Sequence, residues 1–351
     1  MHVSRILRHA LTGLALAVVV YVTAVLWVDA TALTDALDGY TWRWFWLALG
    51  LSAVNYLLRF AKWELCLSWV GVRNDAPGLT RARSFAIYLA GLSMSITPGK
   101  LGEVLRSALL RATVGISFAR TAPIVVIDRL SDVVALVLLA LTGLARVDTL
   151  APAVMPGIVT AVALVAGAML MLGSATATET LLRGLGRVPG LGALKRRAAD
   201  VAHSSATLLR PHRMLILCAL SVLGWGLECV GYLCVLHGFA LARATLETAT
   251  FLWSSTTLLG ALSFLPGGLG ATEASLAVLS ASLVALTPPV AMASTMLIRA
   301  ATLWFGELVG AVALAVVLRD PSVRARTHMA GPRESLPDEV AATKSGVSGS
   351  A

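Results

Sequence analysis

The chain has 351 residues, of which 57% are hydrophobic and only 13% charged, and a mean hydropathy of +0.81. A soluble protein carries about a quarter charged residues, so a soluble globular domain is excluded; the apolar runs are continuous rather than alternating, which argues against a β-barrel. The formal net charge of +9 sits in segments between the apolar runs, the distribution that sets membrane topology, and no nucleic-acid partner is expected.

Arg5 and Arg8 precede an apolar run over about 10–28. It is long for a signal-peptide core and reads as an uncleaved first helix. Further apolar segments are predicted at about 44–70, 84–97, 121–144, 152–173, 214–237, 247–265, 270–287 and 290–318. A run of roughly 20 residues crosses a hydrocarbon core; the segment at 84–97 is too short to do so. The aromatic cluster WRWFW at 42–46 reads as an interfacial belt. Arg59, Lys62 and Glu64, near the end of the 44–70 segment, read as side chains reaching back to the interface. Cys66, Cys218, Cys229 and Cys234 all lie in apolar runs, with no metal-site spacing.

Two segments echo each other. PGKLGEVLRSALL begins at Pro98 and PGGLGATEASLAVL at Pro266. Pro98, Gly99, Leu101 and Gly102 stand in register with Pro266, Gly267, Leu269 and Gly270, and Ser107 with Ser275. Short, Gly/Pro-interrupted segments at corresponding places in two halves point to a transport site. The basic residues constrain the rest. Segment 29–43 is acidic, whereas 71–83, 174–213 and 319–326 are basic. Placing every basic segment in the cytoplasm requires each Pro-Gly unit to return to the side it entered from.

The expected fold is therefore an all-α polytopic membrane protein. It has about six full transmembrane helices plus two inverted Pro-Gly helical hairpins, in an inverted-repeat architecture. Two full helices per hairpin would satisfy the same charge rule, so re-entrance of the second hairpin stays open. The membrane domain is read as 1–318, with half-repeats at about 44–144 and 214–318. A basic cytoplasmic loop spans 174–213, and a disordered cytoplasmic tail spans 319–351.

An ionisable residue at the centre of a membrane helix costs about 2.5–3.5 kcal/mol, and this chain carries many. Lys100, Glu103 and Arg106 follow the first Pro-Gly break. The helix start there offers unpaired amides and a positive dipole end to an anion. Glu103 and Arg106 share a face. The competing reading is a local ion pair at a wet hairpin tip. Asp128, Arg129 and Asp132 form a second group, whose carboxylates are candidate metal ligands, a proton relay or partners for arginines elsewhere. A placement at the helix end near the cytoplasm is the alternative. In the second hairpin Glu273 stands in the first turn after Gly268 and Gly270, where the helix dipole also favours it. Arg299 and Glu307 lie on nearly one face of the last segment. Arg299 needs a partner, for which Glu273 and Glu307 are the candidates. Glu228 is a weaker candidate for the same cavity.

TPGKLGEVLRSALL, VIDRLSD and LPGGLGATEASLAVL, in this order and spacing, resemble the lysylphosphatidylglycerol synthase transmembrane-domain family of flippase-like membrane proteins. The resemblance spans roughly residues 10–318. It matches Pro98, Gly99, Gly102, Glu103 and Arg106 to the first motif, Asp128, Arg129 and Asp132 to the second, and Pro266, Gly267, Gly268, Gly270 and Glu273 to the third. It implies movement of a phospholipid, glycolipid or lipid-linked sugar across a bacterial cytoplasmic membrane, by a multi-pass protein with both termini cytoplasmic. The full-length synthases carry a soluble aminoacyltransferase domain after the membrane part. Only about 30 residues follow the last span here, so lysylphosphatidylglycerol synthesis is not expected. No catalytic residue, metal or cofactor is expected. Anionic lipid headgroups at the basic segments, and a glycosyltransferase or lipid-synthase partner, are the expected contacts. The alternatives are a polyprenyl-phosphate-dependent membrane glycosyltransferase, hinted at by Asp29, Asp35 and Asp38, or a non-catalytic scaffold for such an enzyme.

Overall fold

The computed structural model describes residues 30–96, 101–144, 151–185, 198–239, 244–263 and 265–320; apart from turns these are helical, with no strand among them. The expected first span at 10–28 and the tail beyond 320 lie outside the described residues. Among the described residues four helices are long and apolar enough to cross a membrane: α2 (Arg43–Trp69), α6 (Ala151–Gly173, whose apolar stretch is Met155–Gly173), α9 (Pro211–His237) and α12 (Pro288–Arg319). The 27-residue α5 (Phe118–Leu144) has the length, and its first half holds Arg120, Asp128, Arg129 and Asp132. It begins five residues before Pro123, so its acids sit about three turns inside the helix rather than at its end.

Two segments expected as loops contain helices. The acidic stretch holds α1 (Ala30–Leu37), and the basic stretch holds α7 (Ala175–Leu185) and α8 (Ala198–Leu208). Their small and alternating polar residues hide the helical period from composition alone.

Helices α2 and α9 pack antiparallel along their length. Ala48 lies against Gly231, Asn55 against Gly224, and Lys62 reaches Ser221. Small residues on α9 let the backbones approach, as membrane helix pairs require. At the end of α2 the chain turns through Gly71 at φ +74°. Arg120 clamps this turn, its Nε donating to Val70 O at 2.9 Å and its Nη1 pairing with Asp75.

The first hairpin consists of α3 (Arg81–Ala90), a 3₁₀ turn at Gly91–Met94, and α4 (Leu101–Val114). The second consists of α10 (Leu246–Leu262), a 3₁₀ turn at Pro266–Gly268, and α11 (Ala271–Leu283). Thr80 and Thr245 cap α3 and α10 with their side-chain oxygens. With 10, 14, 17 and 13 residues, none of the four helices reaches a hydrocarbon thickness of about 30 Å at 1.5 Å per residue. Each hairpin packs against the helix that follows the other one. Gly143 of α5 lies against Phe251 and Glu247 of α10, and Gly310 of α12 lies against Leu92 and Ser93 beside α3.

Between Ala300 and Trp304 α12 forms a π turn, and the Tyr56 hydroxyl of α2 donates to Thr302 O there at 2.6 Å. Such a turn inside an α-helix is a recurrent mark of functional sites.

Candidate functional site

The two hairpin tips meet. A β-carbon added at Gly267 would lie 3.4 Å from Ile96 Cα, and Ile96 packs with Leu269 against Leu303 and Trp304 of the π turn. The second tip needs its glycines: Gly267, Gly268 and Gly270 have φ of +61°, +67° and +86°, a region that side chains avoid. Gly268 also approaches Gly260, whose Cα would stand 3.2 Å from an added β-carbon. Of the first tip, Pro98, Gly99 and Lys100 lie outside the described residues. Gly102 and Glu103 belong to α4, but the Glu103 side chain is outside the description too.

The second tip is tied by ions. Glu273 accepts from Gly270 N–H at 2.8 Å through one carboxylate oxygen and from Arg299 Nε at 2.7 Å through the other. Arg299 Nη2 donates to Gly267 O at 2.9 Å. Both side chains are buried. Of its two expected partners Arg299 takes Glu273. Glu307 instead accepts from the Ile96 N–H, at 2.9 Å. One helix, α12, thus holds the second tip through an arginine and the first through a carboxyl group.

A second ionic group lies where α2, α5 and α9 meet. Lys62, 1% exposed, reaches Asp128 Oδ1 at 2.6 Å, Asp132 Oδ1 at 3.0 Å and Ser221 Oγ at 2.7 Å. With Asp128 O at 3.3 Å, four oxygens surround the three protons of the ammonium group. Arg59 pairs with Asp132 and lies over the Trp225 ring. Arg129 Nη2 meets Asp128 at 3.3 Å, and its Nη1 meets Asp132 at 3.6 Å. The acids are therefore partners for cations, one of the three readings left open. Among the described residues no group of three His, Cys, Asp or Glu side chains is disposed to hold a metal ion.

The interfacial reading of Lys62 and Arg59 is overturned. The first is buried and fully engaged, because its neighbours across α5 and α9 supply what interfacial water would. Glu64 is likewise committed, to Arg73 and to the Ser84 hydroxyl at 2.5 Å.

Arg106 is buried against α3. Its Nε donates to Tyr88 O at 3.1 Å, and its guanidinium carbon lies 4.2 Å from the Tyr88 ring centre. With Arg59, Trp63, Tyr88 and Asp128 it lines a pocket no wider than a water molecule. The buried Tyr88 hydroxyl beside it has no hydrogen-bond partner among the described residues. Glu228 accepts from Asn55 Nδ2 at 2.5 Å and from Trp253 Nε1 at 3.2 Å, joining α2, α9 and α10. A larger cavity of about 390 Å³, between Trp69, Arg120, His203 and Ser204, lies away from both tips, and its arginine is spent on the Gly71 turn.

Asn55, Arg59 and Lys62 were not singled out as site residues from the sequence. Their spacing of i, i+4 and i+7 was a usable signal, since it places three polar groups on one helix face inside an apolar segment. Tyr56, Tyr88 and Ser221 carried no comparable mark.

An all-helical membrane protein whose interior is lined by ion pairs and whose two broken hairpins touch is the class these features define. The chain belongs to the family described as the lysylphosphatidylglycerol synthase TM region, whose model matches residues 11–310. No curated protein matches the chain significantly. The family links it to the synthesis or transport of membrane lipids.

Proposed function

We propose that the protein translocates a phospholipid, glycolipid or lipid-linked sugar across the bacterial cytoplasmic membrane, without catalysing a covalent step. The observation that carries this reading is the contact between Ile96 and the Gly267–Leu269 tip. Two short hairpins that touch tip to tip leave thin protein on either side of the contact. A headgroup passes along the polar seam beside them while its acyl chains stay in lipid.

Several contacts support an inverted repeat that relates 44–144 to 214–318. Helices α2 and α9, which precede the two hairpins, are antiparallel. The helices that follow the hairpins, α5 and α12, each pack on the opposite hairpin. Opposed repeats give alternating access by rocking about a fixed site. Arg106, Arg129 and Arg299 suit a phosphate, since guanidinium pairs with its oxygens through two parallel bonds. On this reading both termini face the cytoplasm and the basic 174–213 segment lies on anionic headgroups. A glycosyltransferase or lipid synthase supplies or consumes the lipid.

The test is reconstitution into liposomes with fluorescent anionic, cationic and glycosylated lipids, read by a membrane-impermeant quencher. At least one class is expected to cross faster than in empty liposomes, and Arg299→Gln is expected to slow that class tenfold or more. Folded protein that accelerates none of the three classes overturns the reading in favour of a scaffold or an enzyme.

A further inference from the structure

One cavity lies outside both the ionic groups and the hairpin tips. It stands between the end of α2, the start of α5 and α8. Its volume of about 390 Å³ falls within the roughly 300–1,000 Å³ of small-ligand sites. Four of the residues that line it, Asp200, His203, Ser204 and Thr207, come from α8. Their spacing of i, i+3, i+4 and i+7 puts them on one helix face. A helix packed on a bundle normally turns an apolar face inward. Helix α8 packs on α5, yet it gives this polar face to the cavity.

Ser204 is 4% exposed, and its hydroxyl bonds to no group among the described residues. A helical serine often returns its hydroxyl to the carbonyl four residues back, as Ser254 and Ser275 do in α10 and α11. Ser204 does not, and the side chains of His203 and Thr207 make no hydrogen bond among the described residues either. A buried hydroxyl without a partner is costly, so this face is built for a polar occupant. The positive charge comes from Arg213 of α9, since Arg120 is spent on Val70 O and Asp75. Arg213 bridges two residues of the cavity wall. Its guanidinium carbon lies 5.3 Å from the Trp69 ring centre, and its Nη1 donates to Thr207 O at 2.8 Å. It forms no ion pair among the described residues, and its Nε is buried with no partner there.

A guanidinium that has no carboxylate matches a phosphate, whose oxygens accept its parallel N–H groups. The Ser204 and Thr207 hydroxyls, the His203 imidazole and the exposed Asp200 carboxylate match the hydroxyl groups of a polyol. Trp69 adds an apolar wall for its carbon atoms. We propose that this cavity binds the phosphate ester of a small polyol, with the phosphate toward Arg213 and the hydroxyls along α8. Glycerol phosphate and sugar phosphates share this chemistry, whether free in solution or as the headgroup of a lipid. The site lies away from both tips and does not depend on the translocation reading.

Isothermal titration of the purified full chain in neutral detergent tests this with four probes: glycerol 1-phosphate, inorganic phosphate, glycerol and dihexanoyl phosphatidylglycerol. At least one of the two glycerophosphate probes is expected to saturate a single site, with glycerol and inorganic phosphate at least tenfold weaker. Phosphatidylglycerol binding tenfold tighter than glycerol 1-phosphate assigns the site to lipid headgroups; equal or weaker binding assigns it to soluble esters. Arg213→Gln is expected to weaken the glycerophosphate probes tenfold or more. His203→Trp fills the cavity from an exposed position and is expected to abolish binding, so the test survives an Arg213→Gln protein that does not fold. Arg299→Gln, at the second tip, is expected to leave binding unchanged. Folded protein that binds no glycerophosphate probe overturns the proposal, since the cavity then holds water only. So does binding that Arg299→Gln removes and that both cavity variants keep, because the probe then sits at the tips.

Discussion

The two sets of ion pairs solve the same problem in different ways. In the second hairpin one carboxylate both caps α11 and pairs with Arg299, and that arginine closes on the Gly267 carbonyl. The assembly is local, confined to the tip, α11 and α12. The acids of α5, which follows the first hairpin, turn instead to the centre of the molecule. They bind Lys62 and Arg59 of α2, with Ser221 of α9 completing the shell. A local clamp can be released with one helix movement, whereas a mesh across three helices resists it. The second tip is thus a local clamp and the α2–α5–α9 junction a cross-helix frame.

The sharpest way to break this contrast is Asp132→Ala. It strips partners from a lysine that is 1% exposed and from Arg59. Leaving such charges uncompensated costs about 3–5 kcal/mol, so the expected outcome is loss of monodisperse protein in detergent chromatography. Arg299→Gln removes the clamp but leaves Glu273 its Gly270 donor. It is expected to be less damaging, by about 2–3 kcal/mol in a thermal-unfolding series, because hydrogen bonds to charged groups are worth about 1.5–3 kcal/mol. Equal losses for the two variants would erase the distinction between clamp and frame. Gly310→Ala places a methyl group against the backbone of Leu92 and Ser93. Overpacking of this kind costs about 1–3 kcal/mol, seen as a lowered melting temperature with the ionic groups intact. The smallest effect belongs to the exposed Arg183–Glu179 pair on α7. Arg183→Ala is expected to leave stability within about 0.5 kcal/mol, since exposed pairs contribute little.

Much of this arrangement was legible in the residues. The paired Pro-Gly motifs announced two broken hairpins, and Arg299 was a charge in search of an acid. Gly270 followed by Glu273 signalled a capped helix start, and the structure adds that the same carboxylate serves the arginine. Which acid Arg299 would choose was not legible. Glu307 lies on the same helix as Arg299 and Glu273 on α11, and only the packing of α11 against α12 brings the latter to the guanidinium. Lys62 was misjudged for a similar reason. A lysine near the end of an apolar segment normally reaches water, and only the approach of α5 and α9 turns it inward. The extent of α5 was legible to within three residues, 121–144 against Phe118–Leu144, although its charges left open where a membrane span would begin.

The crossed packing of the hairpins has a consequence for biogenesis. α5 meets α10 through Gly143, and α12 meets α3 through Gly310, so each hairpin is sheltered by a helix from the other end of the chain. During synthesis α3 and α5 leave the ribosome long before their partners exist. These two contacts therefore form only after α10 and α12 have been synthesised.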